Sequence, residues 1–226
     1  MYSEQPAPRW LWRSVSWGLV VLLVAVLSLG VALAMGAADP PRAGPLLWMD
    51  DFKTGSARLH FVTEGGSIGP RQGALVADVA EDQMAAALTA RPDGDFTVEM
   101  AGAQTSGALG ARYGLVLGWR DPAHYSAVLV NGNGYAEAYQ IDGGQRRDWF
   151  QWQQWPNLLA GTDSNRVRAD VHGRQITVRV NDEFLAEMTA DTDGEVGVLA
   201  RDSVAAEDGS AAPSQVVISW VKVWGK

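Results

Sequence analysis

Three tryptophans and a phenylalanine fall within seven residues in Asp148-Trp-Phe-Gln-Trp-Gln-Gln-Trp-Pro156. Flat rings beside amides and carboxylates are what a sugar surface needs: the C–H face of a pyranose stacks on a ring while polar side chains take its hydroxyls. Tyr135-Ala-Glu-Ala-Tyr139 lies just before this run. A strand there places Tyr135, Glu137 and Tyr139 on one face. Trp149, Trp152, Trp155, Tyr135 and Tyr139 are therefore the candidate contact residues, with Glu137 and Gln151 as their polar partners. The same residue types also fill sandwich cores, cover sheet edges and concentrate where proteins meet. Packing, a protein contact and a sugar surface all stay open at this point.

Other chemistry has less to build on. Hydrolysis of a glycosidic bond takes two carboxylates, about 5–5.5 Å apart for retention or about 6.5–9.5 Å for inversion. Glu99, Glu137, Asp148 and Glu183 are available, but no glutamate has an aspartate two positions later to pair with it. His60, His124 and His172 are scattered, as surface histidines are. A calcium reading rests on Asp191, Asp193 and Asp182, which lie in Asp191-Thr-Asp-Gly-Glu195 and Asn181-Asp-Glu183. These segments offer the oxygen ligands a hard cation takes, yet Asp-Gly turns shape β-sandwiches without any metal. No other cofactor is expected.

Whatever these residues do, they must be positioned by strands. From Leu46 onward, period-2 patterns predict strands at 72–79, 95–103, 112–119, 125–130, 135–141, 166–172, 175–180, 184–188, 196–200 and 216–224. Gly-, Asn- and Asp-rich turns separate them, among them Asn131-Gly-Asn-Gly134 and Asp142-Gly-Gly144. Ten to twelve short strands spell an all-β sandwich of two antiparallel sheets. Val167, Ala169 and Val171 pair with Ile176, Val178 and Val180 as the inner face of a hairpin, leaving Arg166, Arg168, Asp170 and Arg179 on a salt-bridged, wet face. Gly114-Leu-Val-Leu-Gly-Trp119 and Ala127-Val-Leu-Val130 are apolar at every position, as strands covered on both faces are. Trp48, Trp220 and Trp224 are expected to close the sandwich by packing inward.

The first residues follow different rules. Residues 14–38 carry no charge, and the apolar run 17–38 would reach about 33 Å as a helix, enough for a hydrocarbon core of about 30 Å. Arg9 and Arg13 precede it, Trp10, Trp12 and Trp17 sit where an interfacial belt belongs, and Asp39 follows. That bias puts residues 1–13 in the cytoplasm, a single-pass anchor at 14–38, a proline-rich linker at 39–45 and an exported domain at 46–226. A cleaved signal peptide ending near Ala32-Leu33-Ala34 is the competing reading, and it exports the same domain.

Composition trims the function classes further. Among 226 residues there is no cysteine, which removes disulfides, thiolate nucleophiles, cysteine-bound metals and lipid acylation at cysteine. A net charge of −8 argues against nucleic-acid partners.

The order of the pieces resembles the concanavalin A-like or laminin-G-like jelly roll, in the bacterial group related to 3-keto-disaccharide hydrolase domains and family 16 glycoside hydrolases. The residues that carry the resemblance are Asp50-Asp-Phe52, Gly94-Asp-Phe-Thr-Val-Glu99, Tyr113 to Arg120, Tyr125 to Val130, Asn165-Arg-Val-Arg168, Arg179-Val-Asn181 before Phe184-Leu185, Gly194-Glu-Val-Gly197 and the closing strand 216–223. It spans residues 46–224. The last strand reads Ile218-Ser-Trp-Val221 where such domains carry a Phe-Asp-Asn type sequence, so an acidic residue that serves calcium in some relatives is missing. The expectation is a membrane-anchored, extracytoplasmic, non-catalytic binding domain, held in the bilayer by residues 14–38. It recognises a glycan or another envelope protein through its aromatic patch. The alternatives are an accessory subunit of a larger membrane complex and a glycoside hydrolase-like enzyme.

Overall fold

The computed structural model describes residues 9–34, 41–107, 110–202 and 213–225, with the side chains of the N-terminal helix described over 17–31. The chain divides into two compact units, Met1–Pro41 and Arg42–Lys226. In the first, α1 (Arg9–Ala34) is a helix of 26 residues. Its side chains from 17 to 31 are exposed on every face, from Trp17 at 71% to Val20 at 51% among the large apolar ones. Among the described residues no helix is long and apolar enough to cross a membrane, and residues 35–38 of the expected span lie outside them.

The second unit is two antiparallel sheets. One runs β13 (Glu183–Thr189), β12 (Gln175–Val180), β11 (Asn165–His172), β6 (Phe96–Ser106), β15 (Ser214–Gly225), β4 (Ala74–Val79), β3 (Ser67–Arg71), with β1 (Leu46–Asp50) also paired to β15. The other runs β10 (Gln145–Gln154), β9 (Tyr135–Asp142), β8 (His124–Asn131), β7 (Arg112–Asp121), β14 (Glu195–Arg201), β5 (Met84–Thr89), β2 (His60–Glu64). The all-β sandwich is as the alternation predicts. Leu115, Leu117, Val128, Val130 and Val198 of one sheet meet Phe96, Val98, Val167, Ile176 and Val221 of the other in a core closed to water.

There are more strands than the sequence patterns reveal. Met84-Ala-Ala-Ala-Leu-Thr89 is alanine-rich and weak in β propensity, yet it is buried on both faces because small side chains fit between layers. Ser67-Ile-Gly-Pro-Arg71 contains a proline, which an edge strand tolerates, and β3 is the edge of its sheet. The tryptophan run, for which the patterns predict no strand, lies in the edge strand β10 as far as Gln154, with Trp155 just beyond its end.

Two packing expectations are corrected. Trp48 packs on the core, but Trp220 and Trp224 do not. They share the outer face of the eight-stranded sheet with Lys222, whose ammonium lies 4.3 Å from the Trp220 ring centre, while Val221 and Val223 point inward. The second face of the β11–β12 hairpin is salt-bridged as expected but not wet throughout. Arg168 is buried with both its Nε (3.0 Å) and Nη2 (2.7 Å) on Asp170. Thr97 Oγ1 donates to the same carboxylate at 2.6 Å and accepts the Ala43 backbone N–H at 3.0 Å. Arg42 reaches Glu99 at 3.2 Å, so the start of this unit is strapped over the sheet.

Asp78, at the β4–β15 pairing, receives hydrogen bonds from Gln215 (3.1 Å), Arg71 and Ser67 (3.3 Å). Partial burial works against its ionisation, but these bonds win and hold the carboxyl below the ordinary aspartate value. A lowered pKa stabilises the fold above the unfolded value, and that contribution is lost as pH falls through the folded one. Asp78→Asn is expected to remove part of the loss of stability seen in urea melts on acidification below about pH 4, by less than about 1 kcal/mol because the pair is partly exposed. Wild type and variant would otherwise run parallel.

Candidate functional site

The seven-stranded sheet is covered on both sides. On its outer face a second apolar cluster forms from Met84, Ala86, Leu88, Val116, Ala127, Leu129 and Leu199, with Trp119, Tyr125 and Tyr139. Trp119 reaches this face through a bulge. Leu117 points into the core, so plain alternation would send Trp119 there too. At Gly118 the backbone takes φ +62°, and a side chain at that position would collide with the Asp191 carbonyl. The register slips at this point and Trp119 turns outward onto Tyr125, at 5.1 Å between ring centres. Tyr125 in turn meets Tyr139 edge-on at 6.0 Å.

Charge enters at the β10 side of this face. Glu137, with no exposure, accepts from Arg112 Nη1 at 3.0 Å and from Arg146 Nη2 at 2.7 Å. Arg146 also donates from Nε to Asp148 at 2.7 Å and lies 4.0 Å over the Tyr139 ring. Arg112 lies 4.2 Å over the Trp152 ring, and Tyr135 stacks with the same indole at 5.5 Å and 21°. Arg201, on β14 directly opposite Arg112, donates to the Tyr139 hydroxyl at 3.3 Å. Burial pushes the Tyr139 phenol above its ordinary value, so it stays a neutral hydrogen-bonding group.

The expected site residues therefore separate. Tyr135, Glu137 and Tyr139 do share one face, as the strand period requires. Only Tyr135, at 36% exposure, is open to solvent, because Glu137 and Tyr139 are sealed beneath other side chains. Trp152 joins Tyr135. Trp149 and Trp155 turn the other way and pack on the main core with Phe150, which meets Trp155 edge-on at 5.6 Å. Both of their indole Nε1 atoms are buried without a hydrogen-bond partner. Bulges in β10 on either side of Phe150 produce this division. Gln151 is exposed on the same edge strand. Arg112, Arg146 and Arg201 are the site residues that sequence reasoning did not single out. The sequence carries no signal for them, because the burial of Glu137 and the order of the strands around it are set only by the tertiary fold.

The remaining candidates lie apart. Glu99 is on the outer face of the other sheet, so it cannot flank a bond with Glu137. Glu137 and Asp148 are joined through Arg146. Asp191 and Asp193 line an open cleft of about 410 Å³ with Arg91 and Arg174, where Arg120 (3.6 Å) and Arg91 (3.8 Å) are their ion-pair partners. Asp182 pairs with Arg166. Among the described residues no three His, Cys, Asp or Glu side chains form a metal-binding group. Gly65-Gly-Ser-Ile-Gly69 spells a Gly-x-Ser-x-Gly nucleophile pattern, but the structure does not build a nucleophile there. Ser67 lies in an edge strand with its hydroxyl on Asp78, and the three histidines pair with Glu195, Asp121 and Asp95 instead.

Glu137 is the tie between Arg112 and Arg146, and removing it would leave the Arg112 guanidinium withdrawn from water with no counter-charge. Glu137→Ala is expected to cost about 3–5 kcal/mol in urea unfolding. Glu183→Ala, at an exposed strand start, should change stability by less than about 0.5 kcal/mol.

The chain matches no family model, and no curated protein matches it in sequence. Solved structures do resemble it. A GH43 protein, BlXynB of Bacillus licheniformis, superposes with a TM-score of 0.60 at 12% identity, over 79% of this chain and 39% of that one. This chain thus spans about two-fifths of that protein's length. The carbohydrate binding module CBM66 of Bacillus subtilis gives 0.53 at 12% identity over 73% of this chain and 96% of the module. A β-1,3-glucanase of Mycobacterium marinum gives 0.52 at 14% identity over 80% and 99%. The body of this protein therefore has a jelly-roll sandwich fold of the kind found in glycoside hydrolases and carbohydrate-binding modules.

Proposed function

We propose that this protein is a membrane-anchored, extracytoplasmic sugar-binding domain that acts by recognition rather than bond cleavage. The observation that carries the reading is the stacked pair of Tyr135 and Trp152 at the rim of the seven-stranded sheet, with Arg112 against the indole and Gln151 exposed on the adjoining strand. An accessible ring beside fixed donors and acceptors can stack a pyranose and satisfy its hydroxyls. The fold shared with a carbohydrate-binding module supports the same ligand class. The anchor is supported by the uncharged run 14–38 and by the exposed apolar side chains all round α1 over 17–31, a surface that lipid would cover.

Two measurements test the two halves. On a glycan array, the Tyr135→Ala/Trp152→Ala variant is expected to lose about fivefold or more in affinity, since each ring contact contributes about 0.5–1.5 kcal/mol. Trp149→Ala/Trp155→Ala should lower the melting temperature and leave the affinity of the folded fraction unchanged. Equal binding by wild type and the Tyr135/Trp152 variant would end the sugar reading. In membrane fractions, the full chain should resist extraction at alkaline pH, and its C-terminal body should be digested by protease added outside intact cells. Release by the alkaline wash, or protection from the protease, would overturn the anchored, exported arrangement.

A further inference from the structure

We infer that the sugar taken at this face bears a negative charge, as a uronic acid does, and that Arg201 receives its carboxylate. The inference rests on the sugar-binding reading above and names the class of ligand.

The charges around Glu137 do not balance. Three guanidiniums, those of Arg112, Arg146 and Arg201, converge on this part of the sheet against the carboxylates of Glu137 and Asp148. Arg112 and Arg146 have carboxylate partners. Arg201 has none among the described residues: its contact is the neutral Tyr139 hydroxyl, and Glu137 acts on it only at longer range. Its Nε is buried with no acceptor, as is the Nε of Arg112 directly across the β7–β14 pairing. Like charges opposite one another in a ladder oppose pairing, and a guanidinium drawn partly out of water without a counter-ion is costly. A fold that keeps such an arrangement holds a site for an anion.

The geometry narrows the anion. Gly114 on β7 and Ala127 on β8 are small residues on the strands between Arg201 and Tyr139, which leaves room for both long side chains to lie along the sheet. A guanidinium so laid down offers its donors in a fixed planar fork, which matches a carboxylate better than a point charge would. Tyr135 and Trp152 stand across β7 and β8 from it and supply a stacking surface for the sugar chain that carries the carboxylate. The whole protein has a net charge of −8, so the attraction is local to this face and does not follow from the overall charge.

The test compares tetramers of galacturonate, glucuronate and mannuronate with their methyl esters, by calorimetry on the full chain in detergent. At least one acid should bind about tenfold or more tightly than its own ester, the factor expected for one charge-assisted pair. Arg201→Gln keeps a donor for Tyr139 and removes the charge. It should bring acid and ester within about twofold, while the melting temperature without ligand stays equal or rises because an unmatched charge has gone. Equal binding of acid and ester by wild type, or a preference that survives Arg201→Gln, overturns this inference and leaves the sugar-binding reading standing. Binding of neutral glycans alone does the same. No binding of any sugar overturns both.

Discussion

Glu137 has no contact with water, yet two arginines, one from β7 and one from β10, hold its carboxylate in place. A carboxylate in that position is tolerable only if its cations are fixed, and fixing them determines much else. Arg112 and Arg146 cannot reach it without lying flat on the sheet. Lying flat, they press against Trp152 and Tyr139, and so set those rings. The outer face of the seven-stranded sheet is thereby roofed with side chains instead of with a third layer of backbone.

This roof explains why β7 and β8 are apolar on both faces. One face meets the other sheet. The second carries the rings of Trp119, Tyr125 and Tyr139, which cluster with Leu129, Leu199 and Val116, while the Tyr139 hydroxyl finds Arg201. The small residues between them are part of the same arrangement. A side chain at Gly114 would run into the Val128 carbonyl. The eight-stranded sheet meets the same problem with Arg168, Asp170 and Thr97, but there the strap at Arg42 and Ala43 helps to close it. Function, on the proposed reading, gathers at the rim of the first roof, where Tyr135 and Trp152 reach solvent and one guanidinium remains unmatched.

The division of the tryptophan run shows how local irregularity decides a site. Seven residues that look like one aromatic patch become two groups with opposite tasks. Trp149 and Trp155 seal the edge of the main core, and Trp152 stays with Tyr135 on the outer face. Bulges in β10 set which ring goes where. An edge strand can carry such bulges because its second side has no neighbour to keep in register.

Much of the architecture was legible in the residues alone. The hairpin of β11 and β12, the doubly covered strands β7 and β8, the shared face of Tyr135, Glu137 and Tyr139, and the two-sheet sandwich all follow from a side-chain period of two and from turn chemistry. The alanine-rich β5 and the proline-bearing β3 were not legible, because their strand character comes from the layers and edges around them. Nor was the pairing of Glu137 with Arg112 and Arg146, or the placement of Arg201 against Tyr139. Those depend on which strands become neighbours, and residues far apart in the chain meet only when the sheet order β10-β9-β8-β7-β14 is set. Alternation states which side of a strand a residue occupies; tertiary pairing alone determines what charge or ring it will find there.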